Sequence, residues 1–229
     1  MIHSPLSSPP LFFIGPIPIT AQVLTTWAIV ALVYALCRWI GRRLSIQPGR
    51  TQTLAELLLG TLQSQIRDTL RTSPAPYLPL IGGLFVFVLC ANLSSLVPGI
   101  EAPTAHIETD AALALIVFCA IAAFGIRSRG LVGYLKSFAD PSWIMVPLNL
   151  VEAITRIFSL MVRLFGNMMS GAFVIGIILS LAGLFVPIPF MALDVLVGII
   201  QAYIFSMLAL VFIGAAIGDE APHSLTEDA

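Results

Sequence analysis

Residues 142–186 read SWIMVPLNLVEAITRIFSLMVRLFGNMMSGAFVIGIILSLAGLFV, and Glu152, Arg156 and Arg163 are their only charges. A single helix of roughly 45 residues would be about 68 Å long at 1.5 Å per residue. The hydrocarbon core of a bilayer is only about 30 Å thick. Either the segment is one steeply tilted helix, or it breaks in two. Gly166-Asn167 and Ser170-Gly171 are the natural break points. Periodicity leaves both readings open. A helix this apolar is at home in lipid, and that decides the class of the whole chain.

Composition points the same way. The chain has 229 residues, 58% hydrophobic and 10% charged, with a mean hydropathy of +0.99. Soluble domains carry about a quarter charged residues. The net charge of -1 and the lack of a basic stripe argue against nucleic-acid binding. Cys37, Cys90 and Cys119 lie in apolar runs without CxxC or Cys/His spacing, so they read as small core residues. His3, His106 and His223 form no metal-ligand pair. No Walker loop, GxSxG or GxGxxG after a strand appears, so no catalytic or nucleotide-binding motif is found. No cofactor is expected. The first 37 residues carry no Lys, Arg, Asp or Glu. A secretory signal needs a basic lead. The N-terminus therefore reads as mature protein, with a polar outer segment over 1–16.

Charge-free runs of about 20 residues mark helical spans. They predict one membrane domain over 1–229, all-α, with about five transmembrane helices. The spans are 17–40, 77–98, 111–127, 141–186 and 190–218. Between the first two, Leu54, Leu58, Leu62, Ile66 and Leu70 recur every four residues among polar ones. That pattern predicts an amphipathic helix over 51–71, lying in the interface or against a partner. Residues 219–229 read as an acidic cytoplasmic tail. Nine of the eleven basic residues fall in two connections, one after the first span and one after the third. The positive-inside rule makes that side cytoplasmic. The N-terminus and the acidic 99–110 loop are then outside. The exceptions are Arg156 and Arg163.

Charges at bilayer depth cost several kcal/mol and usually face a protein interior or a water-filled path. Asn149, Glu152, Arg156 and Arg163 follow steps of three, four and seven, one helical face. Asn167 and Ser170 roughly continue it. Glu152 and Arg156 can pair locally, and Arg156 can also snorkel. Arg163 has no acid within four residues, so its countercharge must come from another helix or subunit. Asp194 and Gln201 share a face of the last helix, and Asp194 suits a proton relay or ion ligand. Asn92 and Asn149 suit hydrogen bonding between helices.

Ser159 to Met168, SLMVRLFGNM, resembles the SLxxRLFGN motif of subunit a of F-type ATP synthases. Gln201-Ala202-Tyr203-Ile204-Phe205 resembles the family's segment on its final helix. Asn92-Leu93, Pro98-Gly99 and Pro103-Thr104-Ala105 resemble its N-L…PG…PTA stretch. Order and spacing agree over roughly residues 20–218. The resemblance implies a membrane stator beside a rotating ring of c subunits. It implies partners in that ring, in b-type peripheral stalk subunits and in other ATP synthase subunits, with nucleotide chemistry on those partners. It implies that the last two helices form a long, strongly tilted hairpin. It implies two half-channels carrying protons to and from the ring carboxylate, in a bacterial plasma (inner) membrane. Arg163, Gln201, Asp194 and Asn167 match its stator and translocation positions. Asn92, Glu108, Asp110, Asn149, Glu152, Arg156 and Ser170 are candidates for the half-channel walls.

Departures from the family concentrate in the half-channels. Nine residues after the arginine, where the family has Glu or His, stands Ala172. Asp194 keeps an acid where the family often has Glu or His. Where family members read PTADLNTT, this chain has His106, Glu108 and Asp110, which can place acids near the outer entrance. Asn149 replaces a family acid, with Glu152 three residues on, and Arg156 is retained. Two other readings remain: sodium as the coupling ion, and a secondary transporter. The latter often shows inverted repeats, and no repeat is visible here.

Overall fold

The computed structural model describes residues 12–14, 17–42, 49–96, 102–138, 145–183 and 185–218. The predicted tail over 219–229 and most of the N-terminal segment lie outside them. A short antiparallel pair opens the fold, β1 (Phe12–Ile14) with β2 (Ile17–Ile19), Phe12 opposite Ile19. Every other described regular element is helical: α1 (Ala21–Arg42), α2 (Arg50–Leu70), α3 (Leu78–Leu93), α4 (Ile107–Phe138), α5 (Met145–Ala182) and α6 (Pro187–Ile217), with two short 3-10 turns, Ser94–Leu96 and Pro103–Ala105. Five of the helices are long and apolar enough to span a bilayer, all but α2. The chain is an all-α integral membrane protein.

Two elements differ from the reading of the sequence, and one decides an alternative that periodicity left open. The first span starts at Ala21, because residues 17–19 pair as β2. The third is far longer than the charge-free run 111–127. Glu108 and Asp110 occupy its first helical turn, where carboxylates complement the helix dipole. Arg127 and Arg129 do not stop it. The break comes at Gly130, whose φ of 73° suits a residue without Cβ. The open alternative is decided in α5, a single helix of 38 residues that runs unbroken through Gly166-Asn167 and Ser170-Gly171. At 1.5 Å per residue it is about 57 Å long.

The core forms around α6. It packs against α2, α3, α4 and α5. Ala202, Phe205, Ala209, Leu210 and Ile213 on α6 meet Ile81, Leu84 and Val88 on α3, Leu113 and Val117 on α4, and Leu160 and Leu164 on α5. Of the most apolar stretch of α6, 44% is buried, against 11% for α5. Helix α5 is therefore the flank of the bundle. It buries a single stripe, Leu160, Leu164 and Met168, at steps of four. The opposite face of α5, with Phe158, Val162, Phe173 and Ile177, is open.

Helix α2 follows its amphipathic pattern with a gradient. Leu62 and Ile66 are buried and Leu70 half-buried, while Leu54 is exposed. Its C-terminal half packs on α3 and α6 of its own bundle. Leu62 lies against Gly82, and Leu70 fills the space above Gly214.

Candidate functional site

Arg163 stands on the open flank of α5, one position before the buried Leu164. Among the described residues it has no ion pair and no hydrogen bond. Gly166, three residues on, is exposed and has nothing within 4 Å of a built Cβ. The surface beside the guanidinium is thus free of bulk, and a neighbouring helix can approach it closely. The guanidinium is thus exposed on an apolar helix and open to a partner from outside the chain.

Towards the C-terminal end of α5 a cavity of about 190 Å³ opens between α5 and α6. Asn167, Ser170 and Gly171 line it from α5, and Asp194 and Val197 from α6. Gly171 is what lets Asp194 in. A Cβ at position 171 would overlap Asp194 Oδ1 and lie 2.9 Å from its Cγ. The carboxylate therefore rests on the backbone of α5, one residue before Ala172. An acid carried by α6 thus lies beside the α5 position where an acid is absent.

A second cavity, about 310 Å³, lies at the other end of the same helix pair. Asn149, Glu152 and Arg156 line it from α5, Phe212 and Ala216 from α6, and Arg129 and Tyr134 from α4. Glu152 and Arg156 form the local ion pair that their spacing allows. The Arg156 guanidinium also sits 5.2 Å from the centre of the Phe212 ring. Arg129 closes the end of α6: its Nε donates to Ile217 O at 2.8 Å, and its guanidinium occupies the space a Cβ would need at Gly218. Gly218 has a φ of 78°, so two requirements select glycine there.

These contacts fix the register of the hairpin. The beginning of α5 faces the end of α6, and its later part faces the beginning of α6, so the two helices run antiparallel. Moving back about eight residues on α5, from Gly171 to Arg163, moves forward about as many on α6 from Asp194. That level is Gln201-Ala202. Gln201 is 6% exposed, and its Nε2 has no partner among the described residues. Arg163 and Gln201 thus share one level of the hairpin, between the two cavities.

The remaining polar residues divide by burial. Asn92 is 3% exposed, donates Nδ2 to Gly198 O at 2.9 Å, and accepts from Thr104 Oγ1 at 2.9 Å. Asp110 is 0% exposed and neither carboxylate oxygen has a described partner, while Glu108 is exposed. Spacing alone gave the two acids equal standing; the fold separates them. Reading by spacing gave no role to Gly198 or Tyr134, took Gly171 as a break point, and used Arg129 only for the end of a span and its orientation. A search for small residues at matching levels of paired helices would have found the two glycines.

Comparison with known proteins supplies the family. Residues 23–214 match the ATP synthase A chain family. ATP synthase subunit a 2 of Bradyrhizobium sp. strain BTAi1 is 58% identical over 221 residues, 96% of this chain and 99% of the relative. ATP synthase subunit a 1 of Chlorobaculum parvum is 45% identical, covering 88% and 90%. ATP synthase subunit a of Albidiferax ferrireducens is 42% identical over 91% of each chain. Nearly the whole length is matched, so the chain belongs to the ATP synthase subunit a family.

Proposed function

We propose that the chain is the stator of a rotary ATP synthase and forms two proton half-channels against a ring of c subunits. The carrying observation is the placement of two cavities, each with polar side chains in its wall, at opposite ends of the α5–α6 hairpin, with Arg163 exposed on the level between them. The N-terminus is outside, the C-terminus is cytoplasmic, and the membrane is a bacterial inner membrane. The Asp194 cavity is then the outer path and the Glu152–Arg156 cavity the inner one. The hairpin lies tilted along the ring, and b-type stalk subunits hold the chain against rotation. Exposed apolar faces, such as Trp27, Leu32 and Leu36 on α1, suit lipid or such neighbours.

The chemistry follows from Arg163. Guanidinium does not deprotonate at physiological pH, so it cannot relay a proton. It attracts an ionised carboxylate on the ring; two unit charges 4 Å apart gain about 4 kcal/mol at an effective dielectric of 20. Protons enter through the outer cavity by way of Asn167, Ser170 and Asp194, and neutralise that carboxylate. The neutral acid leaves Arg163 and turns through lipid. An acid arriving from the other side is ionised again by the field of Arg163, and its proton leaves past Asn149, Glu152 and Arg156. Each charge crossing 100 mV contributes about 2.3 kcal/mol to rotation. Gln201 lies on the level of the guanidinium, buried on the facing helix. Glu108, exposed, and Asp110, buried, start α4 on the side that this topology makes the outer one.

The test is ATP-driven acidification of inverted vesicles carrying the complete complex. Arg163→Ala abolishes it at a wild-type level of assembly. Retained, tightly coupled pumping by that variant overturns the reading. Pumping that requires sodium would keep the stator role and replace the ion.

A further inference from the structure

We infer that Asn92, Thr104 and Gly198 form a clamp that sets the rotation and height of α6, and so positions Asp194 and Gln201. The inference rests on the half-channel reading above. The Asn92 amide is engaged at both ends. Its Nδ2 donates to the carbonyl of Gly198 at 2.9 Å, and its Oδ1 accepts the Thr104 hydroxyl at 2.9 Å. The orientation is fixed chemically, since a hydroxyl must donate to the amide oxygen and a carbonyl can only accept. Asn92, Thr104 and Gly198 are all buried. One side chain thus ties three segments together: α3, the Pro103–Ala105 turn and α6.

The hold on α6 is close. A Cβ at position 198 would lie 3.2 Å from the Cβ of Asn92, tighter than ordinary van der Waals contact. Asp194, Gly198 and Gln201 follow steps of four and three, so they share one face of α6. The clamp grips the middle of that face. Asp194 must meet the backbone of α5 at Gly171, and Gln201 must stay on the level of Arg163. A rotation of α6 by a fraction of a turn moves both. The turn bearing Thr104 also packs against α1, α3, α4 and α5. Through Asn92 the whole outer end of the bundle therefore bears on the α6 face that carries the site.

The same geometry removes Asn92 from the proton path. A relay needs an amide open to water, and this one is 3% exposed with a protein partner at each end. Asn92 is a positioning residue, which revises its standing as a wall of the half-channel.

The experiment compares Thr104→Val with Thr104→Ser in the complete complex in inverted vesicles, with pumping expressed per assembled complex. Valine has nearly the shape of threonine and lacks the hydroxyl; serine keeps it. Thr104→Val is expected to lower pumping about tenfold, and Thr104→Ser by less than about twofold. Asn92→Asp, which loses the donor to Gly198, follows Thr104→Val. Because the clamp acts in part through Asp194, combining Thr104→Val with Asp194→Asn gives a loss smaller than the product of the two single losses. A merely structural role lowers the amount of complex, leaves its specific pumping at the wild-type value, and overturns the inference. Losses that multiply in the double variant overturn it as well. If Arg163→Ala abolishes pumping while Thr104→Val leaves it unchanged, the clamp alone falls. If Arg163→Ala still pumps, the half-channel reading falls with it.

Discussion

Gly171→Ala separates the reach of Asp194 from the stability of α5. The added methyl would overlap Asp194 Oδ1 and lie 2.9 Å from Cγ and 3.4 Å from Oδ2. Real Cβ atoms do not approach so closely, so either the carboxylate leaves or the helices part. Forcing an extra methyl into a packed contact costs about 1–3 kcal/mol. Glycine to alanine inside a helix returns about 0.5–1 kcal/mol through backbone entropy. The helix itself is therefore not weakened, and the complex should assemble. What is lost is the population with Asp194 seated in the cavity. A penalty of 1–3 kcal/mol lowers that population by roughly 5- to 150-fold. If Asp194 loads protons onto the ring, pumping falls in the same range. The assay is ATP-driven acidification of inverted vesicles, normalised to assembled complex by immunoblot. Gly171→Ala at the wild-type rate would refute the reasoning. So would an equal fall when Asp194 is already alanine, because the clash would then be absent.

Three further outcomes follow from the same contacts. Asp110→Asn is expected to lower pumping at least about fivefold, because a buried carboxyl without partners has few purely structural reasons to be there; Glu108→Gln, at an exposed position, should cost less than about twofold in the same assay. Arg129→Ala removes the cation and donor from the end of α6, and about 1 kcal/mol of local stability with them. Faster limited proteolysis after Ile217 checks it, and unchanged cleavage contradicts it. Gly218→Ala places a methyl in the guanidinium of Arg129 and in a left-handed backbone position; it should cost about 1–3 kcal/mol, read as a lower melting temperature of the purified complex.

The membrane class, the number of spans and the salience of Arg163 were legible because each rests on charge against an apolar background. The period-four leucines of α2 were legible for the same reason. Helix limits were less so. Charge-free runs measure where lipid is tolerated, and α4 extends beyond its run at both ends. Its acids sit in a favourable first turn, and its arginines lie before the glycine that breaks it. Periodicity could not say whether α5 is broken, because Gly166 and Gly171 fit equally well in a bend or in a close contact. The structure resolves Gly171 as the second, a seat for Asp194. The clamp at Asn92 was half visible: an asparagine in an apolar helix asks for a partner, yet its partners lie 12 and 106 residues away. Nor could spacing tell buried Asp110 from exposed Glu108, since that depends on what packs over the first turn of α4.

The most direct measurement of the central claim follows Arg163→Ala through two fluxes in one preparation of vesicles with the complete complex. One is proton uptake driven by ATP; the other is decay of an imposed pH gradient without ATP. Arg163 is taken to hold the ring carboxylate and to separate the two cavities. The account predicts no ATP-driven uptake and faster decay of the imposed gradient, at normal assembly. Coupled uptake at the wild-type yield, with an unchanged leak, would contradict it.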